Sequence, residues 1–225
     1  MSASYDTRRG ELERYFDRTA AEAWARLTSD APLSGIRATV RAGREEMRRT
    51  LLSWLPADLS GRRLLDAGCG TGALAAAAAE RGAEVVAVDI SPTLIGLAQE
   101  RYGHLRNIRF LVGDMLDPAW GRFDHIVLMD SLIHYEMADV TAALARLSER
   151  VRQSLLFTFA PRTALLAAMH MAGKLFPRGE RSPRIVPLRA RRLRAELTSG
   201  LGLELGRARR IARGFYISEA QEIRR

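Results

Sequence analysis

Among 35 basic residues only one is lysine, Lys174, and the whole chain of 225 residues holds one cysteine, Cys69. A single thiol excludes an internal disulfide, which fits a reducing compartment. No apolar run approaches the roughly 20 residues needed to cross a bilayer. The opening stretch MSASYDTRRGELER lacks an apolar secretory core, so a cytoplasmic location is expected. No cluster of Cys, His and Asp has metal-ligand spacing, so no protein-bound metal is expected. Aromatic residues are not interleaved with the arginines. That weighs against RNA binding, although a basic nucleic-acid-binding protein remains the reading of another class.

What is present is ordinary in amount and uneven in place. Apolar content of 47% and charged content of 27% describe a globular domain. The net charge is +9, and Phe176–Arg225 alone carries 13 Arg against 5 Glu. Arginine forks bind planar carboxylates and phosphates. A genome rich in G and C would produce the same excess of arginine.

Apolar residues at 12, 15, 16, 20, 23, 24 and 27 predict a helix over 12–27, and a second helix is expected over 36–54, stopped by Pro56. These form an N-terminal helical arm, residues 1–59. From residue 60 the pattern alternates. Strands are expected at 63–67, 85–89, 108–112, 123–129 and 155–159, with helices at 71–81, 91–102 and 139–151 between them. Ser91 and Pro92 supply a cap and a first helical position. Such alternation predicts an open, mostly parallel α/β sheet over 60–225. Residues 161–187 interrupt it as an insertion after the fifth strand, with a short apolar helix at 163–176. A basic helix over 188–199 and two strands, 203–211 and 214–220, close the chain.

LLDAGCGTG, residues 64–72, joins the first strand to the first core helix. A glycine loop in that place allows close backbone approach to a ligand. A dinucleotide site would carry G-x-G-x-x-G, with pyrophosphate on the helix N-terminus. Here Gly68, Gly70 and Gly72 are spaced G-x-G-x-G and follow Asp66. A carboxylate there repels pyrophosphate and suits an ammonium group. S-adenosylmethionine, with its amino group and sulfonium, fits that demand. Asp89 at the end of the second strand suits ribose hydroxyls. Asp114 after the third suits the adenine amino group, with Met115 or Ile90 against the ring. Cys69 reads as a small loop residue, not a nucleophile.

LDAGCGTG, VDIS, VGDM and FDHIVLMDSLIHY together resemble the class I S-adenosylmethionine-dependent methyltransferases over roughly residues 60 to 160. The resemblance implies a Rossmann-like, seven-stranded sheet closed by an antiparallel hairpin, and places Asp130 in the cofactor set. Arg14-Tyr15-Phe16-Asp17, Ala23-Trp24-Ala25-Arg26-Leu27 and Ile36–Arg44 resemble the arm of magnesium-protoporphyrin IX O-methyltransferases. So do Asp130–Tyr135 and the stretch FTFAPRTALLAAMHMAGKLFPRGERSPRI. This second resemblance spans nearly the whole chain. It implies esterification of one propionate of magnesium protoporphyrin IX in bacteriochlorophyll biosynthesis. The magnesium belongs to the substrate.

A propionate is already ionised at neutral pH, so the nucleophile needs no general base. A strong salt bridge to the reacting propionate would stabilise the ground state more than the transition state. Arginines are therefore expected on the other propionate, with Arg41, Arg181 and Arg184 as candidates and Met169 shaping the macrocycle pocket. Weaker donors, His134 and Tyr15, are expected at the reacting one. The resemblance also implies channelling from a magnesium chelatase subunit at a photosynthetic membrane, with the basic face touching its surface. A methyltransferase of a quinone or another natural product shares every cofactor residue and stays open as the alternative.

Overall fold

β1 (Arg63–Ala67), β2 (Glu84–Asp89) and β4 (Phe123–Leu128) are short apolar runs, buried along nearly their whole length. Strands of that kind need a cover on each face, and a parallel sheet with helices on both sides supplies it. The computed structural model describes residues 2–18, 28, 35–162 and 184–225. Among them a seven-stranded sheet runs β3-β2-β1-β4-β5-β7-β6, with β3 (Ile108–Val112), β5 (Val151–Phe159), β6 (Glu204–Arg213) and β7 (Tyr216–Arg224). Neighbours from β3 to β5 pair in parallel. β7 pairs antiparallel with both β5 and β6. This is the seven-stranded, mostly parallel sheet with a closing antiparallel hairpin that the resemblance implied.

The helices divide between the two faces. α1 (Ala3–Arg18), α5 (Met137–Ser148) and α6 (Ala190–Ala195) contribute Tyr5, Leu12, Val140, Leu144 and Leu193 to one core. α2 (Gly35–Ser53) and α3 (Ala73–Ala79) contribute Met47, Leu51, Leu74 and Ala78 to the other. α4 (Pro92–Tyr102) begins as expected, with the Ser91 hydroxyl accepting from Leu94 N at 3.2 Å. No helix among the described residues is long and apolar enough to cross a membrane.

Several boundaries differ from expectation for identifiable reasons. α1 starts nine residues earlier than its apolar spacing suggests, because Ser2 Oγ caps Tyr5 N at 3.2 Å. The predicted span 19–27 and the short helix at 163–176 lie outside the described residues. α5 ends before 151, where Phe123 N already bonds Arg150 O at 2.9 Å and starts the β4–β5 ladder. β7 continues past Ala220 through Gln221 and Glu222, which look like surface residues but are buried. Arg207 chelates Glu222 at 2.6 and 2.9 Å, and Arg194 donates to Gln221 at 2.9 Å. The basic helix starts at Ala190, not Leu188, because Leu188 bridges Pro161 in extended conformation. Its last turn, Glu196–Gly200, widens to a π-helix.

Candidate active site

The strand ends that carry the sequence motifs converge on one cavity of about 590 Å³ at the carboxyl edge of the sheet. The loop after β1 is stitched to β2, with Gly68 N and Cys69 N both donating to Val88 O at 2.8 and 3.0 Å. Gly68 has φ +82, and a Cβ there would lie 2.5 Å from the Ser131 side chain. Gly70 has φ +53 with open space before it, and its N–H donates to Asp89 Oδ2 at 2.8 Å. The loop thus gives the cavity a side wall of bare backbone. Gly72 precedes α3 at φ +81, where a Cβ would meet Phe110 at 2.9 Å.

Two buried carboxylates face this wall. Asp66 is 1% exposed and accepts from Ala75 N at 3.1 Å. Burial pushes its carboxyl up to about 7 against that single N–H, and nearby Asp89 adds to the rise. Asp89 accepts from Ser91 N at 3.0 Å and from Gly70 N. Its carboxyl is also raised by burial, with those N–H groups opposing the rise. Among the described residues neither carboxylate has an ion pair. Two desolvated acids beside a glycine wall are the complement of a ligand carrying an ammonium and hydroxyls. Burial and the two acids also push the Cys69 thiol well up, so it is a poor nucleophile. Among the described residues no group of His, Cys, Asp and Glu is placed to hold a metal ion.

The other predicted cofactor residues separate. Ile90 and Met115 line the cavity. Asp114 does not. Its Oδ1 accepts from the Tyr5 hydroxyl and from Leu116 N, both at 2.8 Å, and Arg9 stands 3.8 Å from Oδ2. Tyr5 is 1% exposed and stacks on Tyr135 at 4.9 Å between centroids. Burial, reinforced by Tyr135 and Asp114, raises the Tyr5 phenol and keeps it a donor. Asp130 lines the cavity but is taken up by protein donors: Arg44 at 2.6 Å, Tyr216 at 3.0 Å and Thr158 at 3.2 Å.

His134 lines the cavity and is 6% exposed. Its Nδ1 lies 3.1 Å from Arg184 O, and a carbonyl can only accept. The proton therefore sits on Nδ1, which leaves Nε2 as the acceptor of the neutral ring. Burial lowers its pKa, with the Arg184 carbonyl opposing. The donor role expected for His134 would need the protonated ring, which burial disfavours. Tyr15 makes an edge contact to Phe16 at 5.2 Å, and Phe16, not Tyr15, lines the cavity. The aromatics of the wall are Tyr5, Phe16, Tyr102 and Tyr135.

Arg41 lines the cavity with Arg44 and Arg48. They fall at i, i+3 and i+7 of α2, so one face of the helix presents all three. That spacing is readable in the sequence, but no local signal there marks Arg44 and Arg48 as facing a cavity. Arg184 points elsewhere, 3.7 Å from Glu136 and largely exposed. Met169 and Arg181 lie outside the described residues.

A family model described as "Magnesium-protoporphyrin IX methyltransferase C-terminus" matches residues 128–225, and a general methyltransferase-domain model matches 64–154. A magnesium-protoporphyrin O-methyltransferase of Rhodobacter capsulatus is 50% identical over 227 residues, covering 100% of both chains. One from Synechocystis is 29% identical over 92% of each. The crystal structure of magnesium protoporphyrin IX methyltransferase from Synechocystis PCC 6803 with bound SAH matches with a TM-score of 0.85 and 26% identity. That match covers 96% of this chain and 99% of the other.

Proposed function

The chain belongs to the magnesium-protoporphyrin O-methyltransferase family, and from that premise we propose that it methylates a propionate carboxylate of magnesium protoporphyrin IX. S-adenosylmethionine is the methyl donor. The products are the monomethyl ester and S-adenosylhomocysteine, and the step serves bacteriochlorophyll biosynthesis. One observation supports this above others: a single cavity joins the glycine-and-acid wall to a wall of arm residues, Tyr5, Phe16 and the arginine face of α2. The first suits the donor and the second a large apolar acceptor bearing carboxylates.

The donor supplies an electrophilic methyl on a sulfonium with a neutral leaving group. Asp66 receives its ammonium. Asp89 retains acceptor capacity for ribose hydroxyls, since a carboxylate has about four lone-pair sites. Ile90 and Met115 pack beside the adenine. Both hydrogen bonds to Asp114 fall on Oδ1, which leaves Oδ2 to accept from the adenine amino group. A propionate entering a half-apolar cavity protonates more readily than in water. Neutral His134, with Nε2 as acceptor, takes that proton and keeps the nucleophile ionised. The arm helices exclude water while the carboxylate and methyl are brought into line. Arg41 suits the non-reacting propionate. Tyr15 orients the substrate only if the arm rearranges around it.

Incubating the purified protein with S-adenosylmethionine and magnesium protoporphyrin IX should give the monomethyl ester by mass spectrometry. Metal-free protoporphyrin and quinones serve as competing acceptors. Equal turnover of a quinone would favour the natural-product alternative.

Two finer contacts complete the proposal. Ile36 and Phe215 are 49% and 48% exposed on neighbouring elements, with Phe215 N bonded to Thr39 Oγ1 at 3.4 Å. Together with the basic C-terminal part they suit peripheral contact with anionic lipid. Flotation with anionic liposomes should carry the wild type and lose Phe215→Ser. A chelatase subunit is the second contact, and failure to co-elute with one at micromolar concentration would count against it.

A further inference from the structure

Asp130 has φ +58, the one positive φ outside glycine among the described residues. An L residue holds that conformation when its surroundings over-determine it. Here they do. The Thr158 hydroxyl accepts from Asp130 N at 2.7 Å and donates back to Oδ1 at 3.2 Å. Tyr216 donates to Oδ1 at 3.0 Å, Ser218 stands at 3.5 Å, and Arg44 closes on Oδ2 at 2.6 Å. Those donors come from β5, β7 and α2. The carboxylate is 5% exposed and its acceptor sites are filled, so it offers little to a bound donor molecule.

The partner it holds is the middle arginine of the α2 row that faces the cavity. Arg48, in the same row, is offset by Glu45 at 2.6 Å. The backbone beside Arg44 is pinned too: a Cβ on Gly43 would lie 2.5 Å from the Tyr216 ring. Tyr216 thus touches both the helix and the carboxylate. Methyl transfer from a sulfonium to a carboxylate consumes opposite charges. A full guanidinium charge at the nucleophile would deepen the ground state more than the transition state.

We infer that Asp130 is a positioning residue that neutralises Arg44 and fixes it on the cavity wall, so that the reacting carboxylate is not overstabilised. This rests on the methyl-transfer reading above. It replaces the cofactor-binding role that the sequence suggested for Asp130.

The test is a double-mutant cycle with kcat, KM for magnesium protoporphyrin and Kd for S-adenosylmethionine measured separately. Wild-type turnover decides the functional reading, independently of the variants. Asp130→Asn should lower kcat tenfold or more, with KM unchanged or lower and Kd within threefold of wild type. Adding Arg44→Gln should restore most of the lost kcat. A tenfold weaker Kd in Asp130→Asn, or a double variant no better than the single, would overturn the inference. If Asp130→Asn does not fold, Arg44→Gln alone decides. It leaves the Asp130 charge facing an anionic substrate, so KM should rise tenfold at unchanged Kd, and an unchanged KM would refute the inference.

Discussion

Replacing Asp66 by Asn changes one oxygen and removes one buried charge. In the ligand-free fold the Asp66 carboxyl is raised from 3.8 to about 7 by burial. A shift of about three pKa units corresponds to about 4 kcal/mol against the ionised form. The folded state therefore binds more protons than the unfolded chain between these values, and stability falls as pH rises from about 4 to about 7. Asp89, also raised, adds in the same direction. Asn keeps an acceptor for Ala75 N but brings an amide donor, and leaving that donor unpaired costs about 1–3 kcal/mol. The variant should then be about 1–3 kcal/mol more stable than wild type at pH 8, without ligand. Urea unfolding at pH 5, 6, 7 and 8 reads this directly. Wild-type stability should decline across the series and the variant's decline should be shallower. Binding should run the other way. An ammonium beside Asp66 favours the ionised form, so S-adenosylmethionine affinity should rise with pH up to about 7 and then level off. In Asp66→Asn it should be at least tenfold weaker and nearly flat with pH. Parallel stability slopes in the two proteins, or unchanged affinity, would refute the assignment of Asp66 as a desolvated counter-charge.

Three more perturbations separate the parts of the site. His134→Ala should cut turnover at least tenfold while calorimetric affinity for S-adenosylmethionine stays within about threefold. Because burial lowers the His134 pKa, the wild-type rate should fall only as pH drops below about 6.5, and this acid limb should vanish in the residual activity of the variant. Tyr5→Phe keeps the stack on Tyr135 but removes a hydrogen bond to a carboxylate, and should cost about 1.5–3 kcal/mol in thermal unfolding. Rapid trypsin cleavage after Arg8, Arg9 or Arg14 in that variant would show that this bond pins α1, and an unchanged digestion rate would show that it does not. Gly43→Ala places a methyl 2.5 Å from the Tyr216 ring and should destabilise by about 1–3 kcal/mol, with Tyr216→Ala partly compensating in the double variant.

The order of strands and helices was legible because its signals are local. A run such as RLLDA or EVVAVD needs cover on both faces wherever it sits in the sheet. Ser91-Pro92 starts a helix by its own side chain and ring. That Asp66, Gly68, Gly70 and Asp89 meet at one cavity was legible for the same reason: they stand at strand ends, and parallel strands gather their carboxyl ends at one edge. Gln221 and Glu222 misled because their polarity is answered by Arg194 and Arg207, residues of other elements. The partners of Asp114 and Asp130 were hidden in the same way. Each is an acid at a strand end, but Tyr5 and Arg44 reach them across sequence separations of 109 and 86 residues. Sequence by itself determined which cofactor chemistry the loop can hold, since that depends on residues a few positions apart. Only the tertiary structure decided which acids line the cavity without an ion pair and which are bonded to the arm, and which nitrogen of His134 carries its proton. Those depend on hydrogen bonds that exist only once α1, α2 and the segment 184–188 are folded against the sheet.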